Sequence, residues 1–185
     1  MSVQIAKHYI TACEFERMVE GGVFGEDARL ELIEGEIIEM SPIGKRHAAC
    51  VDALNWWLNR LIGDAATVRV QNPILLDDLS EPQPDIALLR PRADFYRESL
   101  PTPADVLLVV EVADTSVEYD RKLKLPIYAW AGVAEVWIVN LPEEKIETYS
   151  SPSGDAYEDS ARHGRGEEVS SQTITGLTIK VDDVI

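Results

Sequence analysis

Residues 106–113 read Val-Leu-Leu-Val-Val-Glu-Val-Ala. Five apolar residues lead into Glu111 and two more follow it, so the segment reads as a strand buried on both faces with one carboxylate set into it. An ionised carboxylate taken out of water without compensation either neutralises itself or acquires a partner, so Glu111 implies a cation nearby. The flanking segments supply the candidates. Upstream, Pro84-Asp85 opens a second apolar strand, Ile86-Ala87-Leu88-Leu89, and downstream a helix opens with Asp120-Arg121-Lys122-Leu123-Lys124. Strand parity puts Asp85, Ala87 and Leu89 on one face and groups Leu107, Val109 and Glu111 likewise, so adjacent strands in suitable register bring the two carboxylates together. On the helix, Asp120, Lys124 and Tyr128 are spaced by four and share a face. Two acids on neighbouring strands beside a lysine make a metal-hydrolysis constellation. The carboxylates offer oxygen ligands to a hard cation such as Mg²⁺ or Mn²⁺, which lowers the pKa of bound water, and Lys124 is available to stabilise developing charge or orient that water.

Working outward, Thr11-Ala12-Cys13-Glu14 fits a capping box for a short helix that stops at Gly21-Gly22, expected to be an N-terminal lid. Leu30–Ile33 and Glu36–Met40 read as a hairpin turning near Gly35. Ala48, Val51, Leu54, Trp57, Leu58 and Leu61 recur at helical spacing, predicting an amphipathic helix over 43–62 that ends at Gly63. Strands are expected at 66–70, 73–77, 85–89, 106–113 and 136–139. A helix is expected over 118–131, kinked where Pro126 removes a backbone donor. Further strands near 145–150, 167–173 and 177–181 suggest a C-terminal meander on the sheet edge. The class is therefore α/β: a helix-strand-strand-strand-helix-strand mixed sheet with an N-terminal hairpin and C-terminal β additions. A single domain over 1–185 is expected, with its core at about 30–140. The connection from 106–113 to 136–139 is expected to be parallel and right-handed.

Composition bounds the function. No segment has the apolar length needed to cross a bilayer, and the opening MSVQIAKHYI has no signal-peptide h-region, so a cytoplasmic protein without membrane contact is expected. Cys13 and Cys50 are isolated, without the spacing of a zinc site or a disulfide scaffold. With 17 basic and 33 acidic residues the net charge is -16, opposite to the usual electrostatic footprint of a nucleic-acid binder. Divalent ions and a local basic cleft can offset that repulsion; Lys45-Arg46-His47, Arg90/Arg92 and Arg121/Lys122/Lys124 are the clusters available to build one, though each alone reads more simply as solvated surface. His47 fits a surface or core histidine better than a ligand, the tryptophans fit core or interface, and Asp77-Asp78 with Glu81 fits a solvated turn. There is no P-loop, nucleophile elbow or HExxH motif, and His8, His47 and His163 do not cluster.

Taken in order, Glu31-Leu32-Ile33-Glu34-Gly35-Glu36, Ser41-Pro42 with His47, Gln83-Pro84-Asp85, Val110-Glu111-Val112, Asp120 with Lys124 and Tyr128, and Ala131-Gly132-Val133 through Trp137-Ile138-Val139 resemble the Uma2 family over roughly residues 10–183. The resemblance implies a restriction-endonuclease-like core of the PD-(D/E)XK nuclease superfamily. It implies Asp85 and Glu111 as metal-binding acids, Glu31 as an additional acidic ligand or orienter, and Lys124 as the catalytic lysine. The usual superfamily pattern puts the lysine two residues after the second acid; here that position is Ala113, and the amine comes from the following helix. A second departure is Asp114-Thr115-Ser116, where many relatives carry Ser-Pro-Ser.

The leading expectation is thus a Mg²⁺- or Mn²⁺-dependent endonuclease acting on DNA. A homodimer accompanies it, since double-strand cutting often pairs two sites. Two alternatives stay open: a non-catalytic scaffold or binding protein that keeps the nuclease fold, and a metal-dependent phosphohydrolase of small nucleotides.

Overall fold

A computed structural model describes residues 6–25 and 27–185. Its first helix, α1 (Ala12–Glu20), starts at the capping box: the Thr11 amide donates to Glu14 Oε2 at 2.9 Å and the Glu14 amide donates to Thr11 Oγ1 at 3.3 Å. The hairpin pairs β1 (Leu30–Ile33) with β2 (Glu36–Glu39). Its turn places Gly35 at φ 77, and a Cβ there would lie 2.6 Å from that of Tyr9, so only glycine fits. Phe15 and Ala12 of α1 pack with Leu32 on this hairpin, and α1 lines no part of the central cavity, so it is a brace for the hairpin rather than a lid.

The helix α2 (Lys45–Ile62) ends at Gly63, whose φ is 50. Its buried stripe is Cys50, Val51, Leu54, Leu58 and Ile62, and Leu61, expected inside, is exposed. Fully buried Leu54 and Leu58 each contribute about 2 kcal/mol of apolar transfer. A six-stranded mixed sheet follows: β3 (Thr67–Val70), β4 (Ile86–Leu89), β5 (Val106–Ala113), β6 (Glu135–Asn140), β7 (Lys145–Ser153) and β8 (Ala156–Gly164), in that spatial order. Only β5 and β6 pair in parallel, joined by the helical segment α3 (117–130). One sheet face packs on α2 and the C-terminal residues; the other packs on α3 and on Ile74, Leu76 and Tyr96.

Several expectations are corrected. Residues 73–77 are extended but lie outside the sheet: the amides of Ile74 and Leu76 bond to the carbonyls of Pro82 and Ser80, and Pro82 and Pro84 have no N–H with which to build a ladder in return. Leu107 leaves the face of Glu111, because a bulge pairs Leu88 with Leu108 but Leu89 with Val106, and Leu107 packs on the α2 side instead. Strand β8 carries almost no buried side chain and so has no apolar alternation in its sequence; as a polar outermost strand it blunts the sheet edge. Strands β9 (Glu168–Ser170) and β10 (Thr178–Lys180) form a separate hairpin rather than a meander, with Val169 and Ile179 buried in the α2-side core. Glu81, expected in a solvated turn, is 6% exposed and bridges to Leu32 of β1.

Pro126 does not simply kink α3. Residues Asp120–Lys124 form a π-helical stretch in which the Leu125 amide bonds to the Asp120 carbonyl five residues back. The α-helical turns resume at Leu125–Trp130, leaving Pro126 in a first turn, where a missing N–H costs nothing.

Candidate active site

Asp85 stands immediately before β4, and Glu111 points from β5 to the α3 side of the sheet. The two acids are interlocked: the Asp85 amide donates to Glu111 Oε2 at 3.3 Å, and the Val112 amide donates to Asp85 Oδ2 at 2.9 Å. From α3, Lys124 reaches Glu111 Oε1 at 3.2 Å and Tyr128 donates its hydroxyl to the same oxygen at 2.6 Å. Glu31 arrives from the hairpin, and its Oε2 lies 3.0 Å from Lys124 Nζ. The Gln83 amide donates to that same oxygen at 3.2 Å, and Tyr119 donates to Oε1 at 3.0 Å. Glu31, Asp85, Glu111 and Lys124 therefore converge, and all four are buried. They line one cavity of about 400 Å³, roofed by β2 and the loop at 41–44.

Other residues join them. His47 Nε2 lies 3.0 Å from Asp85 Oδ2, Gln71 Nε2 donates to Asp85 Oδ1 at 3.2 Å, and buried Asp120 accepts a hydrogen bond from Ser116 at 2.7 Å. His47 reads from sequence as a generic histidine because nothing in its spacing reveals that the first turn of α2 ends against β4. Gln71 and Tyr119 carry no sequence signal at all. The basic clusters of the sequence do not assemble into a cleft among the described residues. Arg46 pairs with Asp114, Arg92 with Asp94, Arg121 with Glu147 and Lys122 with Glu118, leaving Arg29, His47 and Lys124 on the cavity.

The electrostatics follow from crowding. Burial pushes Glu111 up to about 8, and Asp120 and Asp85 add to the rise against the opposing pull of Lys124. Burial alone would lower Lys124, but Glu111, Glu31 and Asp120 outweigh it and hold the amine above its ordinary range, so it stays charged. Burial works to raise Asp85 too, yet the hydrogen bond from His47 and the Val112 and Gln71 donors bring it below its ordinary value. His47 is raised chiefly by its bond to Asp85. Four buried carboxyl groups thus share one lysine and one imidazole, an excess of acids over cations and of hard oxygen donors that suits a divalent cation. In the present geometry those oxygens are taken up by protein donors, and among the described residues no group of three or more His, Cys, Asp or Glu is gathered as a metal cluster.

Comparison with known proteins adds two findings. The family model Uma2, described as "Putative restriction endonuclease", matches residues 12–182. A crystal structure from Anabaena variabilis, described as a putative nuclease belonging to DUF820, superposes with a TM-score of 0.74 over 95% of this chain and 97% of that chain at 16% identity, and so shares the fold. A search of the curated proteins found no match. No helix among the described residues is long and apolar enough to cross a membrane.

Proposed function

The chain belongs to the Uma2 family, and on that premise we propose that it is a metal-dependent endonuclease hydrolysing phosphodiester bonds of DNA. The observation that carries this reading is the meeting of Lys124 with Glu31 and Glu111 beside Asp85 in one buried cavity. In this reading Asp85, Glu111 and Glu31 hold Mg²⁺ or Mn²⁺. Such an ion lowers the pKa of bound water and neutralises charge on the phosphoryl group. Lys124 holds its proton and places a positive charge where the phosphorane charge develops, and Tyr128 keeps Glu111 turned toward it. The test is incubation of the purified protein with supercoiled DNA, linear DNA and RNA in Mg²⁺ or Mn²⁺. Cleavage is expected, and is expected to vanish in Asp85→Ala and Glu111→Ala with the circular-dichroism spectrum retained. A folded protein that cuts none of these substrates in either metal overturns the proposal. Pairing of two sites in a homodimer belongs to the same reading and is checked by light scattering.

A second reading, hydrolysis of a small nucleotide, is favoured by the size of the cavity, about 400 Å³. Turnover of nucleotides without cleavage of polynucleotides selects it. Folded protein that binds no Mn²⁺ in calorimetry selects instead a scaffold that keeps the nuclease fold.

A further inference from the structure

Gln71 follows the last residue of β3 with φ 51, in the left-handed region that a side chain with a Cβ seldom adopts. Glycine, or asparagine, which tolerates this region, would fill a chain reversal here at lower cost. What the glutamine supplies is two contacts to one residue. Its amide N–H donates to the Asp85 carbonyl at 3.0 Å, extending the β3–β4 ladder by one step beyond the Val70–Ile86 pair. Its side-chain Nε2 donates to Asp85 Oδ1 at 3.2 Å. The other carboxylate oxygen, Oδ2, is already fixed by the Val112 amide and His47. Among the described residues, Gln71 is therefore the one hydrogen-bond donor on Oδ1, and with it the carboxylate is tied at both oxygens rather than at Oδ2 alone. Strained backbone conformations persist where the surroundings over-determine them, and they gather at functional sites. The turn is held from beyond as well, because Asn72 Nδ2 donates to the Val70 carbonyl at 2.7 Å.

We propose that Gln71 is a positioning residue that aims the Asp85 carboxylate into the cavity for cation binding. The inference rests on the metal-site reading above and adds a residue that reading does not contain. Outer-shell partners of this kind are worth about 10–100-fold in metal affinity.

The experiment is Mn²⁺ titration by calorimetry, with thermal unfolding measured in parallel, on the unsubstituted protein, Gln71→Gly and Gln71→Asn. Both substitutions accept a positive φ, glycine without a side chain and asparagine with an amide one methylene too short to reach Oδ1. Ser151→Gly, which relieves a positive φ of 61 on β7 away from the cavity, is the control for backbone effects. The expected result is an Mn²⁺ Kd raised about tenfold or more in both Gln71 variants, with Tm within a few degrees of the parent, and no change in Ser151→Gly. A Kd within twofold of the parent in either Gln71 variant overturns the proposal. So does a weakened Kd that appears only together with a collapse of Tm in both, since that is the behaviour of a merely structural residue. If the unsubstituted protein binds no Mn²⁺, the metal-site reading itself fails; if it binds and the variants bind equally, only the role of Gln71 fails.

Discussion

The main chain of Asp85 holds the side chain of Glu111: the amide of the first donates to Oε2 of the second across the β4–β5 pair. The arrangement ties the two acids to sheet register, so neither can move far while the strands stay paired. Glu111→Gln keeps the shape, but its single carbonyl oxygen can accept either from Tyr128 and Lys124 or from the Asp85 amide, so its NH2 is left facing a donor. The variant is expected to cost about 1–3 kcal/mol of stability, measured by urea unfolding, while Mn²⁺ affinity and DNA cleavage fall more than a hundredfold. Full cleavage by this variant would remove Glu111 from the chemistry.

Lys124 is the cation shared by Glu31 and Glu111, and all three are buried. Lys124→Met leaves two acids without it and is expected to cost about 3–5 kcal/mol in denaturant unfolding. Adding Glu31→Gln to that variant is expected to restore about 1–3 kcal/mol. Strict additivity of the two substitutions would show that the ion pair contributes no coupling.

Glu81 gives a pH signature remote from the acid cluster. Burial pushes its carboxyl from 4.5 up to about 7, with Glu16 adding to the rise, and its Oε2 has no hydrogen-bond partner. Because the folded-state value lies above the unfolded one, the folded protein binds more protons between these two values. The stability this group contributes is full below pH 4.5 and is lost as pH rises through about 7. Glu81→Gln is expected to match the parent at pH 4.5 and to exceed it by about 1–3 kcal/mol at pH 8, in paired urea titrations. An equal difference at both pH values would refute this account.

Arg121 fastens the π-helical stretch of α3 to β7. It forks onto fully buried Glu147, with its Nε 3.0 Å from Oε2, and Asn140 and Tyr149 supply further donors. Those remaining donors soften the loss, so Arg121→Ala is expected to destabilise by about 2–3 kcal/mol. Since this contact lies outside the cavity, Mn²⁺ affinity is expected to change less than threefold in the folded variant, read by calorimetry.

Legibility in the sequence followed burial. β5 announced itself because eight residues with one carboxylate can be read only as a buried strand, and α2 because its apolar stripe has a helical period. Asp85, Glu111 and Lys124 could be brought together from parity and short connections alone, whereas Glu31 needed the family resemblance, since the hairpin is not part of the main sheet. β8 stayed hidden because it faces solvent and carries no alternation, and its place is set by pairing with β7. Gln71 stayed hidden for another reason: a positive φ has no signature in a glutamine. The bulge at Leu107 escaped for the same reason, because parity counts residues and cannot see one left unpaired.

The four converging side chains come from β1, the entry to β4, β5 and the π-helical stretch of α3, elements spread over residues 31–124. No short fragment contains the whole set, and Glu31 does not meet Lys124 until the hairpin has docked against α3. Whatever chemistry the cavity performs is consequently withheld from a nascent or partly unfolded polypeptide, which makes completion of the tertiary structure its own safety catch.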